Sequence, residues 1–199
     1  MTNVAIAELD PRSIDLSTVK FTAEQFERVC EANPDRSFEL TAQGVLVIMQ
    51  PEGVESGNYE SELLGDLVLW NRQTGLGKTF SSSTVFTLPD GSKRSPDAAW
   101  VELSRWNAVS REERKKFARL VPDFVIELRS ETDRFPPLQA KMAEYRDNGV
   151  RLGWLINPQD RQVEIYRLDR EVEKIDVPMT LSDEDVLPGF TLDLSLIWV

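Results

Sequence analysis

Each of two apolar segments of the chain carries a carboxylate. Asp97 directly precedes the apolar residues 98–101, and Glu127 directly follows the apolar residues 124–126. The second segment, residues 121–128, is the most continuous candidate for a central β-strand. Burying a carboxylate is costly unless a cation or a hydrogen-bond donor offsets it. Because two converging carboxylates are a common way to hold a hard divalent cation, the pattern predicts a metal-dependent active site.

The chain has no histidine and a single cysteine, Cys30. This composition excludes Ser-His-Asp and Cys-His catalysis, and it excludes zinc sites built from histidine or several cysteines. Any metal must therefore be held by oxygen ligands, which favours Mg²⁺ or Mn²⁺. Any general acid or base must be Asp, Glu, Lys, Tyr or a metal-bound water.

The chain has 199 residues, 41% of them hydrophobic, which suffices for one domain with a sizeable core. The polar beginning predicts a flexible N-terminal arm over residues 1–19, followed by a single domain over residues 20–199. No apolar run approaches the roughly 20 residues that span a bilayer, and no basic region followed by an apolar stretch marks an export signal. We therefore expect a cytoplasmic protein that has no contact with a membrane, and a lone cysteine fits a reducing compartment.

The formal net charge of −11 argues against broad, non-specific nucleic-acid binding. It leaves room for a local basic cleft. Five basic residues lie close together in a predicted short helix, where they either form a solvated face or touch phosphates. They are Arg111, Arg114, Lys115, Lys116 and Arg119.

Apolar periodicity and turn signals predict alternating strands and helices. Such an order is typical of a three-layer α/β domain with a mixed sheet. The predicted elements are a helix from Thr22, a hairpin at 38–40 and 45–49, a helix at 59–70, a second hairpin at 84–88 and from 95 onward, a strand at 121–128, a helix at 138–148, strands at 152–156 and 162–168, an edge strand at 171–177, and a tail that packs back on the body.

An ordered set of motifs resembles the PD-(D/E)xK nuclease superfamily. Within it, the chain is similar to a large family of restriction-endonuclease-like proteins abundant in cyanobacteria, and the resemblance covers roughly residues 20–197. It implies a three-layer restriction-endonuclease-like fold whose mixed central sheet is flanked by helices, with an N-terminal hairpin extension. The motifs are Glu55-Ser56-Gly57, residues 70–75, residues 90–97 ending in Ser95-Pro96-Asp97, residues 122–130 around Glu127, residues 141–145 and residues 148–156.

The resemblance implies Mg²⁺-assisted (or Mn²⁺-assisted) hydrolysis of phosphodiester bonds in DNA, through a water that the metal activates. Asp97 and Glu127 would hold the metal, and a nearby cation would complete the site. The chain departs from the family pattern at that cation, because Arg129 stands where a lysine is expected. Arginine is too basic to accept a proton at neutral pH. We therefore favour Lys141, early in the next predicted helix, as the catalytic cation, with Arg129 assisting it.

Two further acids, Glu55 and Glu62, are candidates for an additional site carboxylate at the start of the predicted helix 59–70. Both are also ordinary surface residues by composition alone. Likewise, Asp97 could cap a turn, and Lys141 could be a solvated charge. Glu127 could pair with Arg129 or Arg151 at the surface. Asp123 is interpreted as a turn residue at the entrance to its strand.

Three functional hypotheses follow. The first is a metal-dependent DNA endonuclease, and the second is a catalytically inactive nuclease-like fold that serves as a binding or assembly module. A small-molecule enzyme is discounted, because the segment 75–78 has neither Walker nor dinucleotide-binding spacing. A homodimer is also possible, and the apolar tail 194–199 is its only sequence indication.

Overall fold

The computed structural model describes residues 13–19, 21–182 and 185–198. Within these ranges the helices are α1 (Ala23–Ala32), α2 (Val54–Thr74), α3 (Leu103–Ala108) and α4 (Phe135–Asp147). The strands are β1 (Ser13–Asp15), β2 (Ser37–Leu40), β3 (Val45–Met49), β4 (Gly77–Ser81), β5 (Phe86–Thr87), β6 (Lys93–Arg94), β7 (Ala98–Glu102), β8 (Phe124–Leu128), β9 (Leu152–Asn157), β10 (Gln162–Arg167), β11 (Glu173–Asp176), β12 (Thr180–Ser182) and β13 (Thr191–Asp193). Short 3₁₀ turns cover Ser17–Val19 and Glu113–Lys115.

The central layer is a six-stranded mixed sheet in the order β11-β10-β9-β8-β7-β4. Strands β8 and β9 are parallel, with α4 as the crossover between them, and the other neighbouring pairs of this sheet are antiparallel. All five positions of β8 are buried. A strand covered on both faces reads as a continuous apolar run, which is why the sequence identified this segment.

Helices cover both faces of the central sheet. On one face, Trp100, Phe124 and Trp154 pack with α2 and with the C-terminal segment. On the other face, Val101 and Val125 pack with side chains of α4. Successive residues of a strand point to opposite faces, so one set of strands supplies two cores. The predicted three-layer α/β fold with a mixed sheet is confirmed.

The predicted N-terminal hairpin is part of a second, antiparallel sheet in the order β1-β3-β2-β6-β5. The second predicted hairpin is only partly correct. Strands β5 and β6 pair around a turn in which Gly91 has a φ of 92°, but the chain leaves this sheet after Arg94 and enters the central sheet as β7. Pro96 has no N–H for a ladder and suits such a break. Asp97 therefore lies where the two sheets meet.

Two helices begin earlier than the sequence predicts. Helix α2 begins at Val54 instead of residue 59, because its first turn is solvated and shows no apolar periodicity; Val54 itself is 96% exposed. Helix α4 begins at Phe135 and carries Pro136 and Pro137 in its first turn. Proline is tolerated there because the first N–H groups of a helix have no intrahelical partner.

Of the predictions for the two ends of the chain, the packing of the C-terminal tail on the body is confirmed, and the N-terminal arm is corrected in part. Of the predicted arm, Ser13–Asp15 form β1 and pair with β3, so this part belongs to a sheet; residues 1–12 lie outside the described residues. At the other end, Leu194, Ile197 and Trp198 are buried in the core of their own chain. They therefore give no support to the homodimer, which stays a prediction. No helix in the described ranges is long and apolar enough to cross a bilayer.

Candidate active site

Asp97 and Glu127 lie opposite each other at one end of the β7–β8 pair. The antiparallel register places Ala98 opposite Ile126, and hence residue 97 opposite residue 127. Oδ2 of Asp97 accepts a hydrogen bond from the backbone N of Leu128 at 2.6 Å. Both side chains are buried, with 9% and 2% exposure. The fold thus brings together the two acids that the sequence suggested as metal ligands.

Lys141 extends from α4 to this pair of acids. Its Nζ lies 2.8 and 2.9 Å from the two carboxylate oxygens of Glu127 and 2.9 Å from Oε1 of Glu39, and it donates to the carbonyl of Ser95 at 3.2 Å. The three partner residues match the three N–H donors of an ammonium group. One turn further along α4, the hydroxyl of Tyr145 donates to Oε1 of Glu127 at 3.0 Å.

Glu39 is a site residue that sequence reasoning did not identify. It lies in β2, its Oε1 accepts from the backbone N of Ser95 at 2.8 Å, and its Oε2 accepts from Nη1 of Arg94 at 3.0 Å. The sequence did contain an indication of this residue, because Glu39 lies between the apolar residues Phe38 and Leu40 in a predicted strand. A buried carboxylate in an apolar strand is the same feature that identified Asp97 and Glu127.

Arg94 is the second buried cation. Its Nε donates to Oε2 of Glu144 at 2.9 Å, and its Nη2 contacts the same oxygen. Together these side chains form a buried group, the acid cluster, with more carboxylates than cations. Its acids are Asp97, Glu127, Glu39 and Glu144, and its cations are Arg94 and Lys141.

The excess negative charge acts on the two candidate ligands. Burial, and next the charge of Glu127, raise the pKa of Asp97 well above its ordinary value. Burial raises the pKa of Glu127 to about 7, with Lys141 opposing and Glu39 adding to the rise. Burial would also raise the pKa of Glu39, but Lys141 and Arg94 hold it below its ordinary value. The negative charge of the neighbouring pair Asp97 and Glu127 is therefore disfavoured in this environment.

Arg129 lies away from the acid cluster. Its Nη1 donates to Oδ1 of Asn157 at 3.2 Å and to Oδ2 of Asp160 at 3.3 Å, and its guanidinium lies 5.3 Å from the ring centroid of Phe135. These contacts tie the end of β8 to the turn that follows β9. The fold brings Lys141, and not Arg129, to Glu127.

A groove of about 990 Å³ opens onto the acid cluster. Its walls come from the β2–β3 hairpin, the start of α2, the segment after β8, and α4. Ten acidic residues and two cationic ones line it, so a phosphate that enters meets negative charge. They are Glu39, Glu52, Glu55, Asp90, Asp97, Glu127, Glu131, Asp133, Glu144 and Asp147, with Arg94 and Lys141.

Of the two additional acids suggested by the sequence, Glu55 lines the groove and Glu62 does not. Oε1 of Glu55 accepts from the hydroxyl of Tyr59 at 3.1 Å, while Glu62 is exposed on α2. Glu60 is the acid of α2 whose charge reaches the cluster: it adds, after burial and Glu127, to the raised pKa of Asp97.

Asp123 lies at the opposite end of β8 and has a structural role there. It is fully buried, its Oδ2 accepts from the backbone N of Glu102 at 2.8 Å, and its Oδ1 accepts from Nη1 of Arg105 at 2.6 Å. It fastens the junction of β7 and α3 to β8. Its predicted place at the entrance to the strand is confirmed, but its role extends to this buried network.

Comparison with known proteins agrees with this architecture. The model of the Uma2 family, described as "Putative restriction endonuclease", matches residues 23–195. The chain is also similar to the crystal structure of a "putative nuclease belonging to DUF820" from Anabaena variabilis ATCC 29413, with a TM-score of 0.72 and 22% identity over 89% of this chain and 97% of that one. At this identity the similarity shows a shared fold. No protein of curated function matches the chain.

Proposed function

This chain belongs to the Uma2 family, whose description is putative restriction endonuclease, and we propose that it is a Mg²⁺-dependent endonuclease that hydrolyses phosphodiester bonds in DNA. The observation that carries the proposal is the acid cluster. Four carboxylates, three of them buried, face two cations, and two of the buried ones, Asp97 and Glu127, are neighbours with raised pKa values. Buried negative charge without a counterion is strongly unfavourable, and a divalent cation would offset it.

The donor atoms fit Mg²⁺ or Mn²⁺. Oδ1 of Asp97 accepts no hydrogen bond from the described residues, while its Oδ2 is held by Leu128. Across the described ranges, no three Asp, Glu, Cys or His side chains are grouped for a metal. Mg²⁺ usually keeps several waters and takes only one or two carboxylates, so Asp97 and Glu127 would hold it. When bound, the ion would supply charge neutralisation and Lewis acidity at the phosphate.

Lys141 is suited to bind a phosphate as a cation and not to remove a proton from water. Burial would lower its pKa, but Glu127 and Glu39 raise it above its ordinary value, so Nζ keeps its proton. Arg94 and the backbone N of Ser95 fix Glu39, which in turn positions Lys141. A charge held in place before the reaction needs no reorganisation to stabilise developing negative charge.

The acidic groove bears on how DNA would bind. Its lining places a phosphate among ten carboxylate residues, and duplex DNA repels such a surface at low salt. DNA binding in this groove would therefore rely more on bound divalent cations than on the two cationic side chains of the protein. The same acidity favours the second candidate function, a non-cleaving module that shares the nuclease fold. The two functions differ in whether a divalent metal binds at Asp97 and Glu127.

Replacing each of the two candidate cations by methionine tests which one belongs to the site. Lys141→Met should lower the single-turnover rate of plasmid nicking in Mg²⁺ on the order of 10²-fold or more, the loss typical of one preorganised charge. Arg129→Met should stay within about threefold of wild type, because a contact outside the reacting centre contributes little to the barrier. Both variants lose one positive charge, so the pair controls for net charge.

The result that would contradict this assignment is the reverse order, with Arg129→Met the slower variant. Equal rates for wild type and Lys141→Met would remove Lys141 from the proposed site. Absence of nicking in all three proteins, with Mg²⁺ and with Mn²⁺, would favour the non-cleaving module.

A further inference from the structure

A second cavity of about 430 Å³ lies on the other side of β6 from the acid cluster. Neighbouring residues of a strand point to opposite faces: Arg94 faces Glu39 and Glu144, while Lys93 lines the second cavity. Arg119 lines it as well. We call this cavity, bounded by Phe21, Glu27, Thr87, Lys93, Phe117 and Arg119, the Lys93 pocket.

Lys93 is a buried cation without a carboxylate partner. It is 3% exposed, and its Nζ donates to Oγ1 of Thr87 at 2.6 Å. The hydroxyl proton of Thr87 is used elsewhere, since Oγ1 donates to the carbonyl of Phe117 at 2.7 Å. Among the described residues Nζ has no other hydrogen-bond acceptor and no carboxylate within ion-pair distance. Two of its three N–H donors are therefore left for a group that enters the pocket.

Charges of both signs lie near Lys93. Burial lowers the pKa of Lys93, and of the two next contributions Glu27 opposes the change and Arg119 adds to it. Arg119 is exposed and has no carboxylate partner among the described residues. A buried ammonium is normally paired. Here the lining holds two acidic residues, Glu27 and Asp90, neither of which forms an ion pair with Nζ among the described residues, and a second cation, Arg119.

From this geometry we propose that the Lys93 pocket binds a phosphate group, held by Nζ of Lys93 and the guanidinium of Arg119. A phosphate oxygen accepts well from both kinds of donor. Thr41 and Asp90 line both the pocket and the acidic groove, so the two cavities adjoin at the turns before β3 and before β6. A nucleic-acid strand that leaves the groove can place a phosphate here, where the balance of cations to acids is higher than in the groove.

The phosphate can come from a strand end, from an internal phosphodiester, or from free phosphate, and binding can be measured without cleavage. Titration calorimetry in EDTA, on the full chain, keeps this inference separate from the proposed nuclease activity. Suitable probes are inorganic phosphate, a thymidine dinucleotide with a 5′-phosphate, and the same dinucleotide without it. Tighter binding of the 5′-phosphorylated dinucleotide would identify a strand end as the ligand. Equal binding of both dinucleotides would identify an internal phosphodiester, and binding of inorganic phosphate alone would identify a free anion.

Four variants test the residues. Lys93→Met and Arg119→Gln should each weaken binding of the preferred probe about tenfold or more, as expected for a lost charge-assisted hydrogen bond. Glu27→Gln should strengthen it several-fold, because a negative charge beside the anion is removed. Arg111→Gln is the matched control: Arg111 is also exposed but lies outside the pocket, so the affinity should not change.

Thermal unfolding distinguishes a binding lysine from a structural one. Without phosphate, Lys93→Met should melt at or above the wild-type temperature, because an uncompensated buried charge is removed; it should also lose the phosphate-induced increase in Tm. If Lys93 were structural, the variant would melt lower and keep the phosphate response. Wild type that binds none of the probes, or Lys93→Met that binds them as tightly as wild type, would overturn the proposal.

Discussion

Glu127→Gln should abolish Mg²⁺-dependent nicking of plasmid DNA, with a loss on the order of 10³-fold or more. The amide is neutral and cannot replace a carboxylate as a ligand for a hard cation. Stability should stay close to that of wild type near pH 7, because burial already raises the pKa of Glu127 to about 7 and a neutral side chain is tolerated there. Single-turnover nicking and thermal unfolding of the same sample check both parts.

The matched control is Asp123→Asn, which neutralises another buried acid beside the same strand. Asp123 accepts from Arg105 and from the backbone of Glu102, away from the groove. This variant should be less stable than wild type, because Arg105 loses its buried partner. The folded fraction of the variant should nick plasmid DNA at the wild-type rate. If Glu127→Gln nicked DNA at the wild-type rate, Glu127 would not belong to the site.

Arg94→Met should cause the largest loss of stability, about 3–5 kcal/mol in the free energy of unfolding, the usual effect of removing one partner of a buried ion pair. The substitution leaves Glu39 and Glu144 without the guanidinium that joins them. The loss should grow as the pH rises from about 5 to 8. In wild type the pKa of Glu39 is held below its value in the unfolded chain, which contributes stability above that unfolded value. In the variant Lys141 is left to oppose the effect of burial without Arg94, so part of this contribution is lost.

Arg28→Met is the control for the loss of an arginine–glutamate pair. Arg28 bonds Glu24 on the exposed surface of α1, where such pairs contribute little. Urea denaturation should therefore show almost no change for this variant. Adding Glu144→Gln to Arg94→Met should recover part of the lost stability. Equal stability of Arg94→Met and wild type at pH 8 would mean that the acid cluster does not depend on this cation.

The layers of the fold were predictable because β8 and β9 are buried on both faces and read as apolar runs. The boundaries were less predictable where an element has little contact with the core. The first turn of α2 is solvated around Val54, so periodicity misses it. The division of one predicted strand into β6 and β7 could not be predicted from the sequence either. A strand that passes from one sheet to another has the same local sequence pattern as one that stays in a single sheet.

The candidate site was predictable to the extent that buried charge is visible in sequence. Asp97 borders an apolar run, and Glu127 and Glu39 each lie within one. Glu39 was overlooked because the family motifs do not include its strand. The choice between Lys141 and Arg129 could be made only from the folded structure. Arg129 is two residues from Glu127 in sequence but is bonded to Asn157 and Asp160, whereas Lys141 is brought to Glu127 by the packing of α4.

The Lys93 pocket could not be derived from the sequence. Its two cations, Lys93 and Arg119, are 26 positions apart, and only the pairing of β5 with β6 and the bridge between Thr87 and Arg119 place them around one cavity. The sequence singled out the basic residues 111–119 as a group. Within that group, the fold places Arg119 at the pocket and Arg111 away from it.

Titration calorimetry with Mn²⁺ tests most directly whether Asp97 and Glu127 share a metal. Wild type at pH 8 should bind one ion, and Asp97→Asn should lose that heat. Asp160→Asn, which changes an exposed carboxylate that does not line the groove, should bind as wild type does. Because both acids have raised pKa values and must release their protons to bind a metal, affinity should fall between pH 8 and pH 5. No heat with wild type at pH 8, or unchanged binding by Asp97→Asn, would contradict the account.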